Sequence, residues 1–127
     1  MGIKSSQTLV QEALKIVKTI TPKEALEKLE KKLCNLIDIR DYVELQREGT
    51  IENSHHIPRG LLEFMIHPES PYVTKEKLDL NKEIVLFCAA GGRSALAAKT
   101  LKDMGFEKVS HIEGGFHLMK NSGFKIK

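Results

Sequence analysis

The sequence has only two cysteines in 127 residues, Cys34 and Cys88. That count excludes a disulfide scaffold. The two are not spaced as C-x-x-C, which excludes cysteine-based metal fingers and dithiol motifs. No apolar run is long enough to cross a membrane. The N-terminal stretch does not read as a secretory leader: Gln11, Glu12 and Lys15 interrupt its apolar residues, and no small-residue cleavage site follows. Excess charge of one sign is also lacking. The net charge is +3 and the lysines mostly sit beside glutamates, as on solvated faces rather than a nucleic-acid track. Only the segment Lys120 to Lys127 is clearly basic, and it reads as a frayed end. Internal repeats, low-complexity segments and linkers are absent. What remains is a globular composition, 41% hydrophobic and 29% charged. The length suggests one domain, able to bury a core without disulfides or metals. Free thiols in such a chain fit a reducing cytoplasm.

Hydrophobic spacing over residues 8 to 20 (Leu9, Val10, Ala13, Leu14, Ile16, Val17, Ile20) predicts a helix, with Thr8 and Gln11 as its capping box. Thr21-Pro22-Lys23-Glu24 starts a second helix: an N-cap, proline at the first helical position and glutamate at the third. Residues 35–39 read as a buried strand ending at Arg40, followed by a helix that Gly49 closes. Ser54 to Ile57 is a short strand stopped by Pro58, residues 60–66 are helical, and Pro68 to Pro71 is a loop. Ile84 to Phe87 is the clearest strand. Ser94 to Met104 forms a helix with Gly105 as its C-cap. Val109 to Ile112 is the last strand, and Gly114-Gly115 leads into a short helix through Met119. Alternating strands and helices predict an α/β fold: a small, mostly parallel sheet with helices on both faces. Ligands of such sheets sit at the carboxyl ends of the strands. Asp38-Ile39-Arg40, Pro58-Arg59 and Cys88 all fall at strand ends and can converge there.

The most informative segment is Cys88-Ala89-Ala90-Gly91-Gly92-Arg93-Ser94, between an apolar strand and a helix. Backbone N–H groups of this loop and of the helix N-terminus point into the turn. Their partial positive charge favours a thiolate and attracts an anion. Small residues let the backbone wrap closely around the sulfur. The loop therefore reads as an anion site built around a nucleophilic Cys88. A buried structural cysteine is the bland alternative, and the following Gly-Gly-Arg argues against it. Cys34 has no such setting. It reads as core or surface, at the amino end of its strand and opposite the site.

At these residues the chain resembles the rhodanese (sulfurtransferase) family, from about Thr21 to the C-terminus. Asp38-Ile39-Arg40 is similar to the family's Asp-hydrophobic-Arg, and residues 49–58 to its Gly-His-Ile-x-Gly-Ala-x-x-Ile-Pro. Cys88 to Ser94 is similar to its active loop, and Glu113-Gly114-Gly115-Phe116 to its last segment. Thr50 stands in place of the usual histidine, Asn53-Ser54 of Gly-Ala, and Met119 of a common tryptophan. Asparagine tolerates the left-handed conformation, so the turn can survive. The resemblance implies a rhodanese-like domain over residues 21–127; residues 1–20 lie outside it and read as an added N-terminal helix packed on the domain, with a dimer contact as the less favoured option. It implies a persulfide mechanism in which Cys88 takes sulfur from a small anionic donor, thiosulfate or a persulfide, and passes it to a thiol, a protein cysteine or cyanide. Ala89, Ala90, Gly91, Gly92, Arg93 and Ser94 would bind the donor, with Arg93 as its fork-shaped anchor. No cofactor or metal is implied, nor any nucleic acid or membrane partner.

Two other readings stand beside this one. A non-catalytic module that senses sulfur or oxidants, or binds a partner, would keep the same fold. A phosphatase or arsenate reductase would need a wider loop: that chemistry places five residues between cysteine and arginine, and here there are four. Asp38 and Arg40 read best as a buried ion pair that shapes the loop region. Arg59 reads as a second cation lining the pocket, with a solvated arginine as the equal alternative. His55, His56 and His67 lack metal-ligand spacing. Strand alternation sends His55 and His56 to opposite faces, so hydrogen-bonding or surface roles are favoured for them.

Overall fold

In the computed structural model, which describes residues 2–127, five parallel strands form one sheet. They are β1 (Lys18–Ile20), β2 (Cys34–Asp38), β3 (His55–His56), β4 (Glu83–Phe87) and β5 (Val109–Ile112), in the order β1-β5-β4-β2-β3. Seven α-helices accompany them: α1 (Ser6–Leu14), α2 (Pro22–Glu30), α3 (Tyr42–Glu48), α4 (Leu62–Met65), α5 (Pro71–Lys75), α6 (Gly92–Met104) and α7 (Gly115–Met119). A 3-10 turn covers Arg59–Leu61. Among the described residues no helix is long and apolar enough to cross a membrane.

The core follows from the period of two along the strands. In β4 and the residue after it, Ile84, Leu86 and Cys88 join one cluster with Ile37, Ile39, Ala97, Ala98 and Leu101. Val85 and Phe87 point the other way, to Leu36, Ile112, Phe116, Met119 and Phe124. β4 lies between β5 and β2 and is buried on both faces, which is why it reads as an unbroken apolar run. Cys88 leaves its carboxyl end at the middle of the sheet.

The predicted capping box at Thr21 is present: the Thr21 hydroxyl accepts from the Glu24 amide at 3.1 Å, and the Glu24 carboxylate accepts from the Thr21 amide at 3.1 Å. The expected helix over residues 8–20 is two elements. Helix α1 ends at Leu14, and β1 then pairs with β5 through Lys18–Ser110, Thr19–His111 and Ile20–Ile112. Ile16 and Val17 turn back onto Ala13 O at the end of α1, and the β-branched Thr19 and Ile20 suit a strand against an open sheet edge better than a helix. The cap of α1 is Ser5, whose hydroxyl accepts from the Thr8 amide at 3.1 Å, and not Thr8. Pro71, read as the end of a loop, is the first residue of α5, capped by Ser70. Asn53 holds a φ of 69°, the left-handed turn its identity allowed.

The basic tail is docked rather than frayed. Phe124 is only 6% exposed within the second core cluster. Beyond it the backbone pairs with the loop after α3: Lys127 N donates to Thr50 O at 2.8 Å, and Glu52 N donates to Lys125 O at 2.8 Å. The lysines face water while the alternating apolar residue anchors the strap. Replacing Phe124 with alanine is therefore expected to lower stability by about 3 kcal/mol, as for other buried phenylalanines. Urea unfolding checks this through a lower midpoint at unchanged slope. A loss under about 0.5 kcal/mol, as at surface positions, would mean that the segment contributes nothing to the core.

Candidate active site

Cys88 is a free thiol, 1% exposed, at the junction of β4 and the loop into α6. The amides of Gly91 and Ser94 donate to its Sγ at 3.1 and 3.3 Å, and the Ser94 hydroxyl lies 3.5 Å away. Gly91 is the N-cap of α6 with φ 107°, a conformation that requires glycine there. The loop is held from behind by α7. Phe116 N donates to Cys88 O at 2.8 Å, and His117 N donates to Ala89 O at 3.1 Å. The approach is so close that a Cβ on Gly115 would lie within 3 Å of the Ala89 backbone. Ala90 is the exposed tip of the loop, and Gly92 faces Val10 of α1, which packs along α6.

Asp38 and Arg40 are both fully buried. Arg40 donates from Nε and Nη2 to the Asp38 carboxylate at 2.9–3.2 Å, and from Nη2 to Gly49 O at 2.7 Å. Its guanidinium stacks on the Phe116 ring, 4.0 Å from the centroid. Thr50, in the place of the usual histidine, donates to Asp38 at 2.7 Å. His56 Nε2 meets Arg40 O at 2.7 Å. The pair thus reaches the cysteine loop through Phe116 but does not touch the sulfur.

Arg93 is not free. Its guanidinium makes a two-pronged ion pair with Glu44 of α3, at 2.7 and 3.0 Å. That bond holds the Glu44 carboxyl well below its ordinary value, at about 2. Arg59 is placed elsewhere. It pairs with Glu63 at 2.9 Å and donates to Thr100 at 3.1 Å. Thr100 is six residues past Ser94, about 9 Å along α6. The structure therefore gathers Cys88, Gly91, Arg93 and Ser94 with the Asp38–Arg40 support, and leaves the Arg59 guanidinium outside that group. Cys34 begins β2, at the opposite end of the sheet, and burial pushes its thiol up to about 11. Among the described residues no three His, Cys, Asp or Glu side chains are placed to share a metal ion.

Residues 21–122 match the Rhodanese-like domain family. The chain belongs to this family. It is similar to the thiosulfate sulfurtransferase GlpE of Glaesserella parasuis, 30% identical over 76% of this chain and 81% of that one. It also matches the tRNA uridine(34) hydroxylase of Escherichia fergusonii at 38% identity over 62% of its length, but spans only 21% of that protein. Among solved structures, a Rhodopseudomonas palustris protein of unknown function, described as a possible tyrosine phosphatase, superposes with a TM-score of 0.86 at 37% identity, covering 100% of this chain and 97% of that one. The polysulfide-sulfur transferase of Wolinella succinogenes superposes at 0.73 with 34% identity, over 95% and 85% of the two chains.

Within this rhodanese-like site, two residues escaped the sequence reading. Glu44 carried a signal: Asp41-x-x-Glu44 has capping-box spacing just after a strand end, and Asp41 N does donate to the Glu44 carboxylate at 3.1 Å. His111 carried a weaker one, its two-residue spacing from core Val109 on β5. It is 1% exposed and bridges the Ser94 hydroxyl at Nδ1 and the Thr19 hydroxyl at Nε2, both at 2.9 Å. A continuous polar chain thus runs from Cys88 through Ser94 and His111 to the exposed edge strand. With the imidazole proton on Nδ1, His111 donates to Ser94 and leaves the serine hydrogen for the sulfur or Gly91 O. With the proton on Nε2, Thr19 accepts and Ser94 donates to His111.

Burial alone lowers His111 from 6.5 to about 4, so it is neutral in the folded protein near pH 7. Its folded value lies below the unfolded one. The associated stability is therefore fully present above pH 6.5 and is lost as pH falls from there through about 4. The limit is roughly 3 kcal/mol, at about 1.36 kcal/mol per unit. His111→Asn should reduce the slope of the stability curve between pH 6.5 and 4.5, above the window where Glu44 contributes; His55, also lowered by burial, keeps its own share of that slope. Chemical denaturation of both proteins across that range checks it, and parallel curves would show that His111 does not titrate as described.

Proposed function

We propose that this rhodanese-like protein is a sulfurtransferase that carries sulfane sulfur as a persulfide on Cys88. The observation that carries the reading is the cradle itself: a buried sulfur receiving two backbone N–H bonds in a loop with four residues between cysteine and arginine. A persulfide places its charge on the outer sulfur, and fixed amide dipoles aimed into the loop stabilise that charge without reorganising. In the first step the Cys88 thiolate attacks the outer sulfur of a donor; the new S–S bond forms as the donor's breaks, and the leaving group departs with the electron pair. In the second step a thiol, a protein cysteine or cyanide attacks the outer sulfur of the persulfide and releases the Cys88 thiolate. The loop residues Ala89, Ala90, Gly91, Gly92, Arg93 and Ser94 form the walls of this site, and the Asp38–Arg40 pair supports it. Similarity to sulfurtransferases that cover most of the chain supports the reading. A reducing compartment such as the cytoplasm is the setting in which a free Cys88 and a thiol acceptor coexist.

The resemblance to a protein described as a possible tyrosine phosphatase raises phosphate-ester chemistry as the competitor. The loop weighs against it, because a tetrahedral phosphate needs a wider ring of donors than a single sulfur atom does. Mass spectrometry of the intact protein decides. A sulfur donor should add the mass of one sulfur atom to Cys88, and cyanide should remove it as thiocyanate. Cys88→Ser should abolish both steps, and Cys34→Ser should leave both within about two-fold, since a thiol raised far above its ordinary value supplies little thiolate at neutral pH. Turnover of aryl phosphates with no loading of Cys88 by sulfur would overturn the assignment.

A further inference from the structure

The cation that the loop presents to a donor is already neutralised. Both Arg93 prongs lie on Glu44, and Glu44 is fixed there, since its carboxylate also accepts from Asp41 N as the capping group of α3. The carboxylate stays ionised at any pH near neutral. Asp41 adds a second negative charge to the field at Arg93. The sulfur is therefore held by neutral dipoles, the Gly91 and Ser94 amides, beside an arginine whose charge is answered. A dianion entering this loop must displace Glu44 from Arg93 or sit against it, and like charges placed together at this partly buried pair repel. A donor with little charge meets no such barrier.

We propose that Glu44 is the donor-specificity residue of this site, and that it selects persulfides of low charge over dianionic thiosulfate. This rests on the sulfur-transfer reading above. With a neutral hydropersulfide, the Cys88 thiolate attacks the outer sulfur, the donor's S–S bond breaks, and R–S⁻ leaves with the electron pair; Cys88 is left as a hydropersulfide. Charge is conserved at one negative unit, the sulfane sulfur moves without net oxidation or reduction, and no additional reactant is needed. With thiosulfate the same step gathers three negative charges beside Glu44 before sulfite departs.

The test measures loading of Cys88 in single turnovers by the intact mass of the full chain. The donors are thiosulfate and the persulfide of 2-mercaptoethanol generated in situ, and the proteins are the natural chain and Glu44→Gln. Glutamine keeps the third-position capping contact, and a thermal melt confirms that the fold is retained; Glu44→Asp, which keeps the charge, provides a second comparison. The natural protein should load from the persulfide at least about ten-fold more efficiently than from thiosulfate. Glu44→Gln should raise the thiosulfate rate about ten-fold or more while the persulfide rate changes less than about three-fold, and Glu44→Asp should keep the natural preference. Equal thiosulfate rates in the natural protein and Glu44→Gln, or faster loading from thiosulfate than from persulfide in the natural protein, would overturn the assignment of Glu44 while leaving sulfur transfer intact. No loading from either donor by any of the folded proteins would remove the sulfur-transfer reading, and this inference with it.

Discussion

The buried Asp38–Arg40 pair is the constraint on which the rest of the site depends. Two charges placed out of water are costly, and replacing such a pair with apolar residues is often neutral or stabilising. Net stability is therefore a poor explanation for it. What the pair does is fix positions. Arg40 ties the end of β2 to the carbonyl of Gly49, Asp38 receives the Thr50 hydroxyl, and the guanidinium plane sets the ring of Phe116. The Phe116 amide in turn holds the carbonyl of Cys88. Four segments of the chain are thus brought into register around one guanidinium, and the Cys88 loop is one of them. Removing the Arg40 charge alone would leave the Asp38 carboxylate buried without its counter-ion, at a cost of about 3–5 kcal/mol, whereas Arg40 without Asp38 would still reach Glu48 at 3.4 Å.

The C-terminal strap extends this arrangement outward. Lys127 exchanges backbone hydrogen bonds with Thr50, whose side chain serves Asp38. A segment that composition alone marks as solvated tail is thereby linked to the charge pair beneath the site. On the far side, Ser94 and His111 connect the sulfur to β1, an edge strand that lies before the matched family region. The loop is therefore braced from both sides of the sheet.

The elements legible in the sequence were those whose signals are local. Thr21 to Glu24 announces its own cap, β4 is an unbroken apolar run, and Gly91-Gly92-Arg93 marks a tight turn into a helix. The errors have a common physical origin. Residues 8–20 fit a helical stripe, yet Lys18–Ile20 gain more by pairing with the open edge at β5, and that edge is visible only in three dimensions. The tail looked frayed because its lysines are local, whereas the contacts of Phe124 are with residues far away in the chain. In the candidate site, the place of Cys88 after a buried strand and the Asp38–Arg40 ion pair were legible, while the sequence left Arg59 open between pocket and solvent: its ion pair with Glu63 and its bond to Thr100 depend on where α4 lies against α6. Glu44 and His111 were missed because each matters only through a partner, Arg93 or Ser94, about fifty or seventeen residues away.

The partnership with Glu44 changes how the loop is understood. From sequence, an arginine at a helix mouth is a free positive charge waiting for an anion. In the folded chain that charge is answered, His111 is kept neutral by burial, and the groups that reach the sulfur are amide dipoles and a hydroxyl. Such a cradle suits a small, polarisable atom whose charge is modest and fixed in place, because aligned dipoles at short range need no counter-ion. It suits a phosphate dianion poorly, since that group spreads its charge over several oxygens and calls for a free cation besides. The short spacing from Cys88 to Arg93 and the occupied Arg93 guanidinium are independent features, one of chain length and one of ion pairing. Both favour sulfur over phosphate at the same atom.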